Sequence, residues 1–307
     1  MVRARQAARE SSPRQQSAQR NAVTSRLARR SDTQQDARIQ TGNYITRRMQ
    51  GRHLVLTTAT ATQPNTGAAG AAVTGDSLIT RNYGRSPRII CAWATRQTAG
   101  FSQVTWPTAH DTTRGWRVGV ATGGPQVTLP RMMSLPITPQ EQITSTIAGS
   151  NTAGDVEQDS WLTEYDEDKG QRWIDSAEML RRVEKVTTVE ASLVSSAGPG
   201  YSGTALINAG SDLLLANREY ALLGITCRTA VHAAGIIGPD TGNDRIAVPG
   251  LLRYELAAAF FPKWYGRCLL INSGNKGSTS LFVATDENAG TFLVTYHLAL
   301  LHRSLGG

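Results

Sequence analysis

Gly198-Pro-Gly-Tyr-Ser-Gly203 has the spacing of a phosphate-binding glycine turn, and Glu219 stands about where an acid would meet a ribose. That chemistry needs the glycines to open a helix whose N-terminus faces the pyrophosphate. Pro199 stiffens this segment and a strand-like run, Asp212–Ala216, soon follows, so the segment reads as a turn. Ser202 approaches the spacing of a nucleophile elbow without matching it, and no His–Asp pair accompanies it. The five histidines, His53, His110, His232, His297 and His302, are scattered. Even His297 and His302 are a poor ligand pair at a spacing of five, and no cysteine stands beside them. Asp166-Glu167-Asp168 before Gly170 offers oxygens to calcium without the rest of a binding loop, and reads as a solvated turn. Asp111 and Asp244 recur beside Pro and Thr and are expected to hydrogen-bond their own turns. No catalytic residue, metal ligand or cofactor is assigned, and the expectation is a protein that is not an enzyme.

Arginine is the residue type whose placement does point to a chemistry. Residues 1–52 hold 12 Arg, no Lys and 3 acidic residues, a net of +9, whereas the rest of the chain nets −1. The planar guanidinium keeps its charge and grips phosphate oxygens with two parallel N–H donors. Arg3, Arg5, Arg9, Arg14, Arg20, Arg26, Arg29, Arg30, Arg47 and Arg48 are the candidate contacts to packaged nucleic acid or to anionic lipid head groups. The same segment is rich in Gln, Ser and Ala and poor in large apolar groups, so it cannot offset its chain entropy by burial. It is expected to be an extended arm, with Ala18–Leu27 able to form a short helix on a partner.

The body is a different material. The chain has 307 residues, 40% of them hydrophobic and 29 of them Gly, with frequent Thr and Ser and little Lys, a composition that favours strands and turns. Cys91, Cys227 and Cys268 are too few and too far apart for a disulfide framework and are expected to be buried thiols in a reducing compartment. Neither a signal-peptide apolar run nor a stretch of about 18 apolar residues stands out, so cytoplasmic synthesis is expected.

An internal repeat at an offset of about 132 residues organises the body. Arg88–Thr95, Pro107, Asp111 and Arg117–Val120 have counterparts in Tyr220–Cys227, Pro239, Asp244 and Arg245–Val248. Asp76–Thr80 matches Asp212–Ala216, and Trp161–Tyr165 matches Phe292–Tyr296. The apolar runs in both copies are short and bounded by Gly, Pro, Asn and Asp, as in the strands of a barrel or sandwich. Apolar Trp173, Ile174, Ala177, Leu180 and Val183 predict a connecting helix over Gln171–Glu184 that packs one half on the other. A second helix is expected at Leu251–Phe260. Trp93, Trp106, Trp116 and Trp264 are expected as core or subunit-contact anchors. The divisions are an arm over 1–50, a first β-barrel over 51–170, the helix over 171–184 and a second β-barrel over 185–307.

The arm, the two halves, the Gly238-Pro-Asp-Thr-Gly-Asn243 segment with Arg245-Ile-Ala-Val-Pro249, and the closing strand Thr291–Leu300 together resemble the double jelly-roll major capsid proteins. That family builds the shells of tailless icosahedral bacteriophages with an internal membrane and of adenovirus-like viruses. The chain is most similar to its compact members from small lipid-containing phages. The resemblance implies a mainly β protein of two tandem jelly-roll β-barrels that self-assembles as a homotrimer into a virion shell. It further implies an inward-facing arm, packaged nucleic acid or an internal anionic membrane as partner of residues 1–52, and minor capsid and vertex proteins as neighbours. The long arm departs from the smallest members, so nucleic acid and lipid both stay open. Two other architectures fit less of the pattern. A single jelly-roll coat protein with a projecting domain, from a small RNA virus, suits the arm but not two equal halves. A bicupin-like binding protein or enzyme needs metal-binding His and Glu in register in each half.

Overall fold

Alternation of buried and exposed side chains sets the strands. In residues 188–194, Val189, Ala191 and Leu193 are buried while 188, 190, 192 and 194 are exposed, the two-residue period of a half-buried strand. The structure is a computed structural model that describes residues 52–62, 73–79, 87–96, 100–105, 116–120, 126–127, 135–138, 140–148, 156–166, 169–195, 200–207, 214–228, 231–250, 252–285 and 290–302. Arg3 through Arg48 of the arm, Trp106, Pro107, His110, Asp111, Glu167, Asp168 and Gly198 lie outside the described residues.

The protein is mainly β, and the described residues form four antiparallel sheets. Strands are numbered in chain order. One sheet runs β1 (His53–Thr62), β9 (Val156–Tyr165), β3 (Arg88–Arg96) and β6 (Gln126–Val127), with β7 (Leu135–Pro136) also on β3. A second runs β2 (Val73–Ile79), β8 (Gln142–Ala148), β4 (Gly100–Thr105) and β5 (Trp116–Val120). The third runs β10 (Trp173–Asp175), β16 (Arg267–Asn272), β13 (Glu219–Cys227), β18 (Gly290–Leu301) and β11 (Val183–Ser195). The fourth runs β12 (Gly200–Leu206), β17 (Ser280–Thr285), β14 (Ala233–Ile237) and β15 (Ile246–Pro249).

With β7 and β10 set aside, the described residues of each half give eight strands joined in one order. Numbered within its half, one sheet reads first, eighth, third, sixth, and the other reads second, seventh, fourth, fifth. That order is compatible with a jelly roll. Arg88–Arg96 and Glu219–Cys227 are third strands, and Val156–Tyr165 and Gly290–Leu301 are eighth strands. The repeat slips at one block: β2 holds Asp76–Ile79, but its counterpart is β12, and 214–216 form a turn between strands. Similarity of apolar content rather than of position produced that match.

The connecting helix is shorter than the spacing predicts, Ser176–Arg182. Trp173 and Ile174 belong to β10, paired with Leu269 and Cys268, and Asp175 caps the helix by accepting from the Ala177 N–H at 2.8 Å. Two short elements in succession counterfeit a helical period: Leu180 is 71% exposed, and Met179 is the buried residue. The second helix covers only Tyr254–Ala257, and a π-helical turn, Phe260–Tyr265, contains Pro262. The glycine segment opens β12 at Gly200, with Ser202 opposite Val283 in the sheet. Gly224 lies at a bulge in β13, where a Cβ would come within 1.9 Å of the Ala257 carbonyl oxygen, so only glycine lets that helix rest on the strand.

Candidate functional site: the seam between the halves

The described residues form one compact unit, within Met49–Gly307, because the sheet of β1, β9 and β3 is buried on both faces. Strand parity separates the two faces. Leu54, Leu56, Cys91, Trp93 and Leu162 join a hydrophobic core that is continuous with the second half, through Ile225, Ile246, Val248 and Phe282. Val55, Ile89, Ala92 and Trp161 are equally buried but lie outside that core, on the opposite face. The register agrees, since Leu56 pairs with Leu162 and Thr57 with Trp161. A register shift between Ile89 and Cys91 puts Cys91 opposite Leu162 and Trp93 opposite Ser160.

Polar groups fix the register of this apolar contact. The free edge of β1 is closed by the second half and by the segment before it: Leu56 N–H donates to the Arg245 carbonyl at 2.8 Å. Gln171 acts as a substitute strand, its Oε1 accepting from Leu54 N–H at 2.8 Å and its Nε2 donating to the Leu54 carbonyl at 2.8 Å and the Thr241 carbonyl at 2.9 Å. The turn at Pro239–Thr241 is stiffened by the Thr241 hydroxyl, which donates to the Gly238 carbonyl and accepts from the Gly238 N–H. Gly242 follows at φ +64°, where a Cβ would sit 2.2 Å from the Lys169 carbonyl oxygen. Asp244 then accepts from His53 Nε2 at 2.6 Å. That contact makes the Asp244 side chain a bridge between the halves.

Deeper in the seam, Trp93 Nε1 donates to the His232 carbonyl at 2.9 Å, and its ring lies 5.7 Å from the imidazole. Tyr201 donates to Thr58 Oγ1 at 2.6 Å, Thr58 and Ser160 hydroxyls meet at 2.7 Å, and Ser160 meets His232 Nε2. Burial drives the His232 pKa down to about 3 and raises that of Tyr201. Arg245 stacks on the Tyr201 ring at 4.1 Å. At the other end, Glu164 accepts from Arg52 and Tyr265 and faces Arg267 at 3.6 Å, while Trp173 Nε1 donates to the Arg52 carbonyl at 3.1 Å.

These contacts join the two halves. The three cysteines are buried and form no disulfide; burial raises the pKa of Cys91 and takes that of Cys268 to about 12, so neither is a thiolate at neutral pH. Among the described residues, no three His, Cys, Asp or Glu side chains converge as a metal site. The described histidines make separate contacts: His53 on Asp244, His232 on Ser160, His297 on Thr226 and His302 near Glu184. No described helix is long and apolar enough to cross a membrane.

No family model matches the chain, and no curated protein matches it in sequence. Among solved structures it is similar to the PBSX exported protein XepA at 12% identity and a TM-score of 0.26, covering 80% of this chain and 86% of that one. It is similar to the major capsid protein P2 of bacteriophage PM2 at 10% identity and a TM-score of 0.20, covering 81% and 99%. A chain of Sulfolobus turreted icosahedral virus matches at 12% identity and a TM-score of 0.22, covering 80% and 61%. Superposition at these scores is too loose to carry a functional conclusion. The strand order and the seam are the informative features.

Proposed function

We propose that this chain is a structural coat protein, a double jelly roll that self-assembles into an icosahedral virus shell. The observation that carries the reading is the identical strand order in the two halves, fused through one continuous core. Two like barrels held rigidly side by side give a single chain two similar outward surfaces, which suits a building block with many near-equivalent neighbours. Fold alone leaves function open, since jelly rolls also serve lectins and cupins. The +9 arm adds an independent reason: a cationic tether on a neutral body suits a protein that must hold an anionic interior. On this reading the protein is not an enzyme, its unit is a homotrimer, and the arm points inward toward nucleic acid or anionic lipid.

Sedimentation velocity on the full chain and on a chain lacking residues 1–45 tests this. Both are expected to sediment as trimers or larger assemblies, with only the full chain carrying a single-stranded polynucleotide or anionic liposomes along at low salt. A monomer across a hundredfold concentration range would overturn the shell reading. Polyanion binding unchanged by the deletion would overturn the role given to the arm.

A further inference from the structure

The row of hydroxyls across the seam has a direction. Tyr201 donates to Thr58, so the Thr58 proton is free to go on to Ser160, and the Ser160 proton to His232 Nε2. The reverse assignment, with Nε2 donating, would leave the hydroxyl proton of either Thr58 or Ser160 without an acceptor within the row. Full pairing within the row therefore favours a neutral His232 that carries its proton on Nδ1. We propose that Tyr201, Thr58, Ser160 and His232 form an acid-operated latch, in which protonation of His232 releases the first half from the second before either half unfolds.

The energetics come from position. His232 is 1% exposed, with the Trp93 ring on one side and Ser160 on another, and burial is the sole cause of its lowered pKa. Among the described residues, the other titratable and charged groups placed in the seam include His53, Asp244, Arg245, Glu164, Arg52, Arg267 and Tyr265, each with contacts of its own there. With the seam closed His232 stays neutral down to about pH 3; with the seam open it regains the ordinary midpoint of 6.5. The open form therefore binds the additional proton between those values. The closed state is fully favoured above pH 6.5 and loses ground as pH falls, by about tenfold in the opening equilibrium per pH unit.

Cys91 supplies a native reporter, because it lies on the seam face of β3 and is 0% exposed, whereas Cys268 is in β16 of the second half. Labelling of the full chain with dithiodipyridine, which reacts with thiols in acid, is read cysteine by cysteine by mass spectrometry and normalised to a model thiol. The expected result is Cys91 labelling that rises about tenfold per pH unit below 6.5 while Cys268 stays protected, and a pH-independent Cys91 rate in His232→Asn. Nitrogen NMR on the unaltered protein reads the tautomer directly, so failure of that variant to fold leaves the idea testable. A proton on Nε2 at neutral pH, an ordinary titration midpoint in the folded protein, or all three thiols reacting together would each overturn the latch.

Discussion

Gln171→Leu is expected to destabilise the protein by about 3–5 kcal/mol in chemical denaturation while leaving the unfolded baseline unchanged. Leucine has nearly the volume of glutamine, so packing is conserved and the loss is one of hydrogen bonding. Gln171 is 1% exposed and serves three backbone groups, the Leu54 N–H, the Leu54 carbonyl and the Thr241 carbonyl. Each buried backbone group left without a partner costs about 1–3 kcal/mol, and water reaches this edge of β1 only if the seam parts. The position also joins the segment before β10 to the turn after β14, so the loss falls on the register of both halves at once. A change under about 1 kcal/mol would show that Gln171 does not close the β1 edge.

Trp93→Ala is the second large effect, at about 3–5 kcal/mol. The indole is 1% exposed, lies in the shared core and donates to the His232 carbonyl, so truncation opens a cavity and strands an acceptor. The original protein should unfold in one transition, since Met49–Gly307 is one unit with a continuous core. The variant should broaden or split that transition as the first half loses its hold on the second. A calorimetric trace that shifts downward as a single sharp peak, with no broadening, would show that the halves do not depend on Trp93 for their coupling.

These residues mark where the sequence is legible and where it is not. Strands such as β11 and β18 announce themselves, because alternation over Val189, Ala191 and Leu193 is a local property of the chain. The cationic excess of residues 1–52 is visible by counting. The seam depends on pairs far apart in sequence: Gln171 with Leu54, Trp93 with His232, Ser160 with His232. Gln171 and His232 carry no local signal for that role. One signal was available: Leu54-Val55-Leu56 and Ile89-Ile90-Cys91-Ala92-Trp93 do not alternate, and unbroken apolar strands are those covered on both faces. Asp244 and Gly242 stood in a segment already singled out, yet their partners His53 and Lys169 lie in another part of the chain. The helix failed for a related reason, since Trp173 and Ile174 are buried by pairing with β16 and not by a helical face.

Two like halves locked by this seam are proposed as the repeating unit of a shell. Electron microscopy of particles from the source material, labelled with gold-conjugated antibody against the purified chain, tests this proposal most directly. Closed icosahedral particles with label spread over every facet are expected. Label confined to vertices or to a tail, or chain found only in the soluble fraction beside unlabelled particles, would contradict it.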